Sequence, residues 1–147
     1  MSVGPARSLY RSTVLARGKS PRHRGLVGDP RARVLLAENP LCGDRVSLEL
    51  VVRSELSLAF DGHACLLCVA STDLLADLVS GSSCELAVAQ IQGFLTMLET
   101  GEGQASDDLS ALLEVRALPI RMACVRLTWD VLLGELVALG ADAMRMR

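Results

Sequence analysis

VLLAENPLCGDRVSLELVVRSELSLAF, residues 34–60, carries the period of a strand twice over and is broken by one tight loop. Val46, Leu48, Leu50 and Val52 alternate with Arg45, Ser47, Glu49 and Val51, the pattern of a half-buried strand. Leu56, Leu58 and Phe60 alternate with Ser57 and Ala59 in the same way. Only Arg53, Ser54 and Glu55 separate these two runs, a length that suits a hairpin. Val34 to Ala37 reads as a further short strand ahead of the loop. The segment predicts an antiparallel meander.

Within it, Asn39-Pro40-Leu41-Cys42-Gly43-Asp44 sets a thiol and a carboxylate two residues apart. Proline fixes its own φ and biases the preceding residue away from helix, so Asn39-Pro40 holds the loop extended. Gly43 permits a turn that a side chain would hinder, which lets Cys42 and Asp44 face one point. A thiolate and a carboxylate converging in this way make half of a tetrahedral metal site. Cys65 and Cys124, each near the start of an expected helix, are candidates for the other half. The resulting set of three sulfurs and one oxygen suits zinc or thiolate-held iron. The helix N-terminus, with arginine nearby, should lower the pKa of both helical thiols. Plainer readings stand beside this one. Asn, Pro, Gly and Asp are ordinary turn formers, and free cysteine is often a small buried hydrophobe.

Outside the meander the apolar period becomes helical. Helices are expected over Ser8–Arg17, ending at Gly18, and over Ala64–Ser80, closed by Gly81. A third should start from a Ser82/Glu85 capping box and run to about Thr100. A short one follows over Leu109–Val115, favoured by Asp107 and Asp108, and a last one opens at Pro119 and ends at Gly140. Ser20–Gly25 reads as a turn and residues 101–106 as a loop. The expected fold class is α+β: a small three-stranded antiparallel sheet covered by about five helices, in one domain spanning 1–147.

Half the residues are hydrophobic, yet the aromatics are only Tyr10, Phe60, Phe94 and Trp129, so the core must be aliphatic. A net charge of -2 argues against general nucleic-acid binding. No apolar run reaches the roughly 18 residues of a membrane span. Nothing resembles a secretory signal, and five cysteines, an odd number, point to reduced thiols in a cytoplasmic setting. Charge is uneven: residues 1–33 hold eight of the fifteen basic residues and one acid, leaving seven bases and sixteen acids, or -9, for the rest. An organelle transit peptide has such a composition. A basic face offered to an acidic partner, or a solvated surface, is preferred here because the segment reads as structure.

Three stretches together resemble a known family. Asn39-Pro40-Leu41-Cys42-Gly43-Asp44, Phe60-Asp61-Gly62-His63-Ala64-Cys65 with Ala70-Ser71, and Arg121-Met122-Ala123-Cys124-Val125-Arg126-Leu127-Thr128-Trp129 are similar to the three cysteine motifs of the IscU/NifU-N/SufU iron–sulfur cluster assembly scaffolds. Leu9-Tyr10-Arg11 and Ser20-Pro21-Arg22-His23-Arg24-Gly25 resemble that family's opening helix and turn, which counts against a transit peptide. The resemblance covers essentially the whole chain and implies a SufE/NifU-like fold. It leans to the SufU branch. Ala123 stands where IscU proteins place a histidine before the third cysteine, and the stretch from Cys65 to Cys124 is long. Pro119-Ile120-Arg121 only partly echoes the chaperone-binding Leu-Pro-Pro-Val-Lys of IscU.

The resemblance implies Cys42, Asp44, Cys65 and Cys124 as ligands, either of a [2Fe–2S] cluster or of Zn2+. In the first case the protein is a scaffold that accepts persulfide sulfur from a cysteine desulfurase and passes clusters to recipient apo iron–sulfur proteins. In the second it is a zinc-bound sulfurtransferase that activates a SufS-like desulfurase, with one thiolate freed when the partner docks. A purely structural zinc domain is a third reading. Cys42 is the expected persulfide acceptor, because a turn exposes it, with Cys124 as the alternative. His63 is not expected to bind metal, since the other four complete a tetrahedron. Cys68 stands where the family usually has serine. Cys65-Leu66-Leu67-Cys68 is formally a Cys-x-x-Cys pair, open to a disulfide, but packing is the expected role of Cys68. Cys84 should be a bland residue at a helix start.

Overall fold

The computed structural model describes residues 5–145. Helix α1 (Pro5–Lys19) precedes three strands, β1 (Arg33–Asn39), β2 (Asp44–Val52) and β3 (Leu56–His63). Then come α2 (Leu66–Val79), α3 (Cys84–Thr100), α4 (Asp107–Ala111), a 3-10 helix (Leu112–Ala117) and α5 (Pro119–Arg145). The sheet order is β1-β2-β3 with both pairs antiparallel, the meander the alternation predicts. Its register runs from Arg33↔Leu50 to Asn39↔Asp44 on one side of β2 and from Arg45↔His63 to Val52↔Leu56 on the other.

One face of the sheet is the floor of the core. Val46, Leu48, Leu50, Leu56, Leu58 and Phe60 are all buried there. The opposite face is more open, though Glu49 is buried on it. Its two carboxylate oxygens accept the backbone N–H groups of Val27 and Gly28, at 3.0 and 2.8 Å. The outer edge of β3 is closed by the 23–25 segment: the Gly25 N–H donates to Phe60 O and the Phe60 N–H to His23 O. That isolated bridge occupies the edge at Phe60.

Helix α2 lies in the middle of the molecule with eleven of its residues buried. Its register against α5 is fixed by a buried polar ladder. The Trp129 indole donates to Ser71 Oγ at 2.8 Å, Ser71 Oγ donates to Val125 O at 2.7 Å, and Thr72 and Thr128 hydroxyls meet at 2.9 Å. Such bonds are directional, and sliding either helix would leave several buried polar atoms unpaired. One turn earlier on the two helices lie Cys68 and Cys124, so the ladder also sets where Cys124 points. Phe94 of α3 stacks on Trp129 with ring centroids 4.1 Å apart.

The charge imbalance of the sequence resolves inside the fold. Five of the eight basic residues in the first 33 pair with the molecule's own acids: Arg17 with Asp73 and Asp77, Arg22 with Asp77, Arg24 with Asp61, Arg31 with Asp29 and Arg33 with Glu135. The side chain of Arg7 lies outside the described residues. Among the described residues no helix is long and apolar enough to cross a membrane.

Several boundaries differ from expectation, each for a local reason. α1 runs through Gly18, because that glycine serves close packing; a Cβ there would lie 2.8 Å from the carbonyl oxygen of Leu66. Ser83, not Ser82, caps α3 by accepting from the Leu86 N–H at 3.2 Å, while Ser82 turns back onto Leu78 O. The cap therefore sits too close to Glu85 for a capping box. α2 starts at Leu66, two residues later than expected, because Cys65 occupies its cap. The Leu109–Val115 helix is α4 plus the 3-10 turn, which ends at Leu118 with φ -123 and ψ 89. A residue before proline is pushed out of the helical region in this way. α5 passes Gly140, which keeps a negative φ.

Gly18→Ala is a clean test of the α1–α2 packing. Alanine gains about 0.5–1 kcal/mol of helix propensity, but overpacking against a backbone carbonyl costs about 1–3 kcal/mol. Urea unfolding should show a net loss of stability. An unchanged or raised midpoint would mean the two helices part freely.

Candidate metal centre

The loop between β1 and β2 is built by Asn39. Its side-chain oxygen accepts the Leu41 N–H at 3.1 Å and its carbonyl accepts the Gly43 N–H at 2.8 Å. Gly43 closes the turn at φ 76, a conformation that side chains resist. Cys42 and Asp44 emerge on one side, with Cys42 exposed and Asp44 buried, and the Cys42 thiol donates to Asp44 Oδ2 at 3.1 Å.

Asp44 ties the loop to α2. Its Oδ1 accepts the Cys65 N–H at 2.8 Å and its Oδ2 lies 3.6 Å from the Cys65 sulfur. Cys65 is the N-cap of α2, and its sulfur accepts the Cys68 N–H at 3.4 Å. Cys124 comes from α5, buried, with its sulfur 3.9 Å from that of Cys42. The ligand atoms of Cys42, Asp44 and Cys124 all lie within 4.8 Å of one another. Tetrahedral ligands at about 2.0–2.3 Å from one ion stand about 3.3–3.8 Å apart, so this trio needs only a small contraction. Cys65 is outside the mutual set because its sulfur is turned to cap the helix, although it shares the same Asp44 oxygen.

The donor set fits a soft divalent cation. Asp44 is 4 % exposed, and its oxygens receive only an amide and two thiols. Among the described residues it has no ion-pair partner. A buried carboxylate without a countercharge is costly, and a cation held beside it would supply that charge. Three cysteines around one carboxylate favour zinc or thiolate-held iron over a hard ion.

The expected lowering of the helical thiols fails at Cys124. Burial pushes that thiol up, and the charge on Cys65, hydrogen bonds to Cys42 and Cys65 and the charge on Asp44 add to it. Cys124 is the sixth residue of α5, beyond the first turn where the helix dipole acts. Arg121 is exposed. Deprotonating Cys124 therefore calls for a cation at the site itself, as metal binding coupled to proton release requires. Exposure does not single out Cys42 either, because Cys65 is exposed as well.

His63 ends β3, exposed and opposite Arg45, and is not in the ligand cluster. Cys84 opens α3 and its thiol donates to Leu136 O at 3.9 Å. Cys68 is fully buried in the core, as packing would have it. Leu41, 95 % exposed, and Ile120, 77 % exposed, flank Cys42. With Asn39, Pro119 and Ala123 they line an apolar hollow of about 370 Å³ that opens beside the thiol. Sequence reasoning passed over this rim, and also over Arg17 and Asp73, which clamp α1 to α2. The signal for the latter is two acids, Asp73 and Asp77, inside the apolar run Leu66–Val79.

Residues 9–117 match the family described as NifU-like N terminal domain. Among curated proteins, the zinc-dependent sulfurtransferase SufU of Bacillus subtilis is 30% identical over 130 residues, covering 85% of this chain and 87% of that protein. The iron–sulfur cluster assembly scaffold protein IscU of Streptococcus pyogenes is 30% identical over 151 residues, covering 99% and 93%. Among solved structures, the N-terminal part of a nitrogen-fixing NifU-like protein from Brucella abortus superposes with a TM-score of 0.74. It covers 86% of this chain and 90% of its own, and at 24% identity it shows a shared fold. The meander, the covering helices and the cysteine loop at the head of β2 are thus those of a known group: the chain belongs to the NifU-like N-terminal domain family.

Proposed function

We propose that this protein works in iron–sulfur cluster assembly, taking persulfide sulfur from a cysteine desulfurase on Cys42 and holding its metal on Cys42, Asp44, Cys65 and Cys124. The observation that carries the reading is the convergence of Cys42, Asp44 and Cys124 within 4.8 Å, with Cys42 on an exposed loop. Family membership and the two curated relatives support it. A [2Fe–2S] cluster assembled there would be cargo for recipient apo proteins, and the setting is cytoplasmic.

In the transfer step the Cys42 thiolate attacks the terminal sulfur of the desulfurase persulfide. A new S–S bond forms on Cys42, the bond inside the enzyme's persulfide breaks, and the enzyme's cysteine leaves as a thiolate. Leu41 and Ile120 give a SufS-like partner an apolar seat beside the reacting sulfur, where burial keeps out water. Asp44, hydrogen-bonded to the Cys42 thiol and the Cys65 amide, aims the loop.

A second reading keeps the same residues with resident zinc and no cluster, as a zinc-dependent sulfurtransferase that activates the desulfurase. Ala123 in place of histidine favours it, as does the likeness to the Bacillus subtilis protein. Zinc, when bound, would hold its cysteines as thiolates at neutral pH. A purely structural zinc site is disfavoured, since structural sites are closed and Cys42 is exposed. Sulfide release by a cysteine desulfurase, measured with and without this protein, tests the acceptor. Cys42→Ala should reduce stimulation to the level of the enzyme alone. Stimulation equal to the parent's would refute transfer through Cys42.

A further inference from the structure

One thiol beside the centre has no part in the proposed ligand set. Cys68 lies in the first turn of α2, 0 % exposed, and its amide donates to the Cys65 sulfur at 3.4 Å. An exposed cysteine at a helix cap thus stands directly in front of a buried one three residues on. Residues at this spacing within a helix bring their Cβ atoms to about 5–6 Å, and a disulfide needs about 3.5–4.5 Å between them, so the pair must close by about 1–2 Å. Cys65 is extended, at φ -65 and ψ 159, so the cap outside the regular helix is where that movement falls.

From these placements we propose that Cys68 is the resolving thiol for oxidation of Cys65. A peroxide oxidises the Cys65 thiol to a sulfenic acid; the O–O bond breaks and one oxygen leaves as water. The Cys68 sulfur then attacks the Cys65 sulfur, and the sulfenic oxygen departs as a second water carrying the Cys68 proton. One peroxide is reduced to two waters while two thiols become one disulfide.

Cys42 and Cys124 lie closer to each other, at 3.9 Å, but both belong to the proposed ligand set. In the metal-loaded protein Cys68 is the neighbour of Cys65 that no ion holds. Cys84 is engaged at the Leu136 carbonyl and belongs to another part of the fold. The disulfide withdraws Cys65 from the metal and shelters it from irreversible sulfinic oxidation, so metal loss becomes reversible by a thiol reductant. The metal loss rests on Cys65 being a ligand, and the preference for Cys68 over the Cys42–Cys124 pair rests on those two being held by the metal.

The test treats zinc-loaded and zinc-free protein with hydrogen peroxide, maps disulfides by mass spectrometry, then reduces with dithiothreitol and reloads zinc. In the zinc-loaded form the disulfide should join Cys65 to Cys68, whereas in the zinc-free form Cys42 and Cys124 are free to compete. Zinc binding should recover in the zinc-loaded parent after this cycle and fall short by at least about twofold in Cys68→Ser, where Cys65 goes on to the sulfinic acid. In the zinc-loaded form, a Cys42–Cys124 disulfide with Cys68 still open to alkylation overturns the proposal, and the parent's map alone decides this. Full zinc recovery in Cys68→Ser overturns it too. A Cys65–Cys68 disulfide formed with zinc retained upholds the resolving role and removes Cys65 from the ligand set instead.

Discussion

Replacing Arg17 by alanine should destabilise the fold by about 3–5 kcal/mol, the cost of breaking a buried ion pair from one side. Arg17 is 6 % exposed and donates to Asp73 Oδ2 at 2.7 Å, and Asp73 is fully buried. Without the guanidinium, Asp73 keeps the His23 N–H and no cation, so its charge stays desolvated and uncompensated. Asp77 fares better. Burial raises its pKa, but hydrogen bonds from His23 and Arg17 outweigh that and hold the carboxyl below its usual range; His23 and Arg22 remain after the substitution. Arg31–Asp29, in which the arginine is exposed, should matter little by comparison, since water screens it. Chemical denaturation of Arg17→Ala and Arg31→Ala separates the two classes. Similar small losses for both would show that the α1–α2 clamp contributes nothing special.

Cys124→Ser should weaken zinc binding by more than about a hundredfold, because changes in the outer shell of such sites alone cost 10–100-fold. The hydroxyl is a poor replacement for a thiolate, and the buried position gives water little chance to substitute. Folding should survive, since serine is close to cysteine in size and α5 stays held by the ladder at Val125, Thr128 and Trp129. Cys84→Ser, at a helix start remote from the site, is the matched control and should leave affinity unchanged. Competition against a chromophoric chelator reads both. Equal affinities would remove Cys124 from the ligand set.

How far the sequence could be read divides along the line between local and through-space information. The strands announce themselves because side-chain alternation is local, and the Asn39–Asp44 loop because proline and glycine constrain their own backbone. The convergence of Cys42, Asp44 and Cys124 was inferred from chemistry and is a product of folding. Misreadings came where one residue type serves two purposes. Gly18 looks like a helix stop and is a packing glycine; Gly140 looks like another and simply continues α5. Ser82 and Ser83 both look like caps, and only the chain's path decides between them. Cys124 sits near a helix start, where the dipole predicts an acidic thiol, but burial is the larger effect. The basic opening segment looked like a surface because its acidic partners, Asp73 and Asp77, lie more than fifty residues on. The double duty of Asp44, facing Cys42 while accepting the Cys65 amide, has no sequence signature at all.

Everything functional here depends on sulfurs from the β1–β2 loop, the head of α2 and α5 sharing one ion with Asp44. X-ray absorption at the zinc edge of the zinc-loaded protein measures that directly. Three sulfurs at about 2.3 Å and one oxygen at about 2.0–2.2 Å are expected, with one sulfur lost in each of Cys42→Ser, Cys65→Ser and Cys124→Ser. A first shell of nitrogen and oxygen alone, or one unchanged by those substitutions, would contradict it.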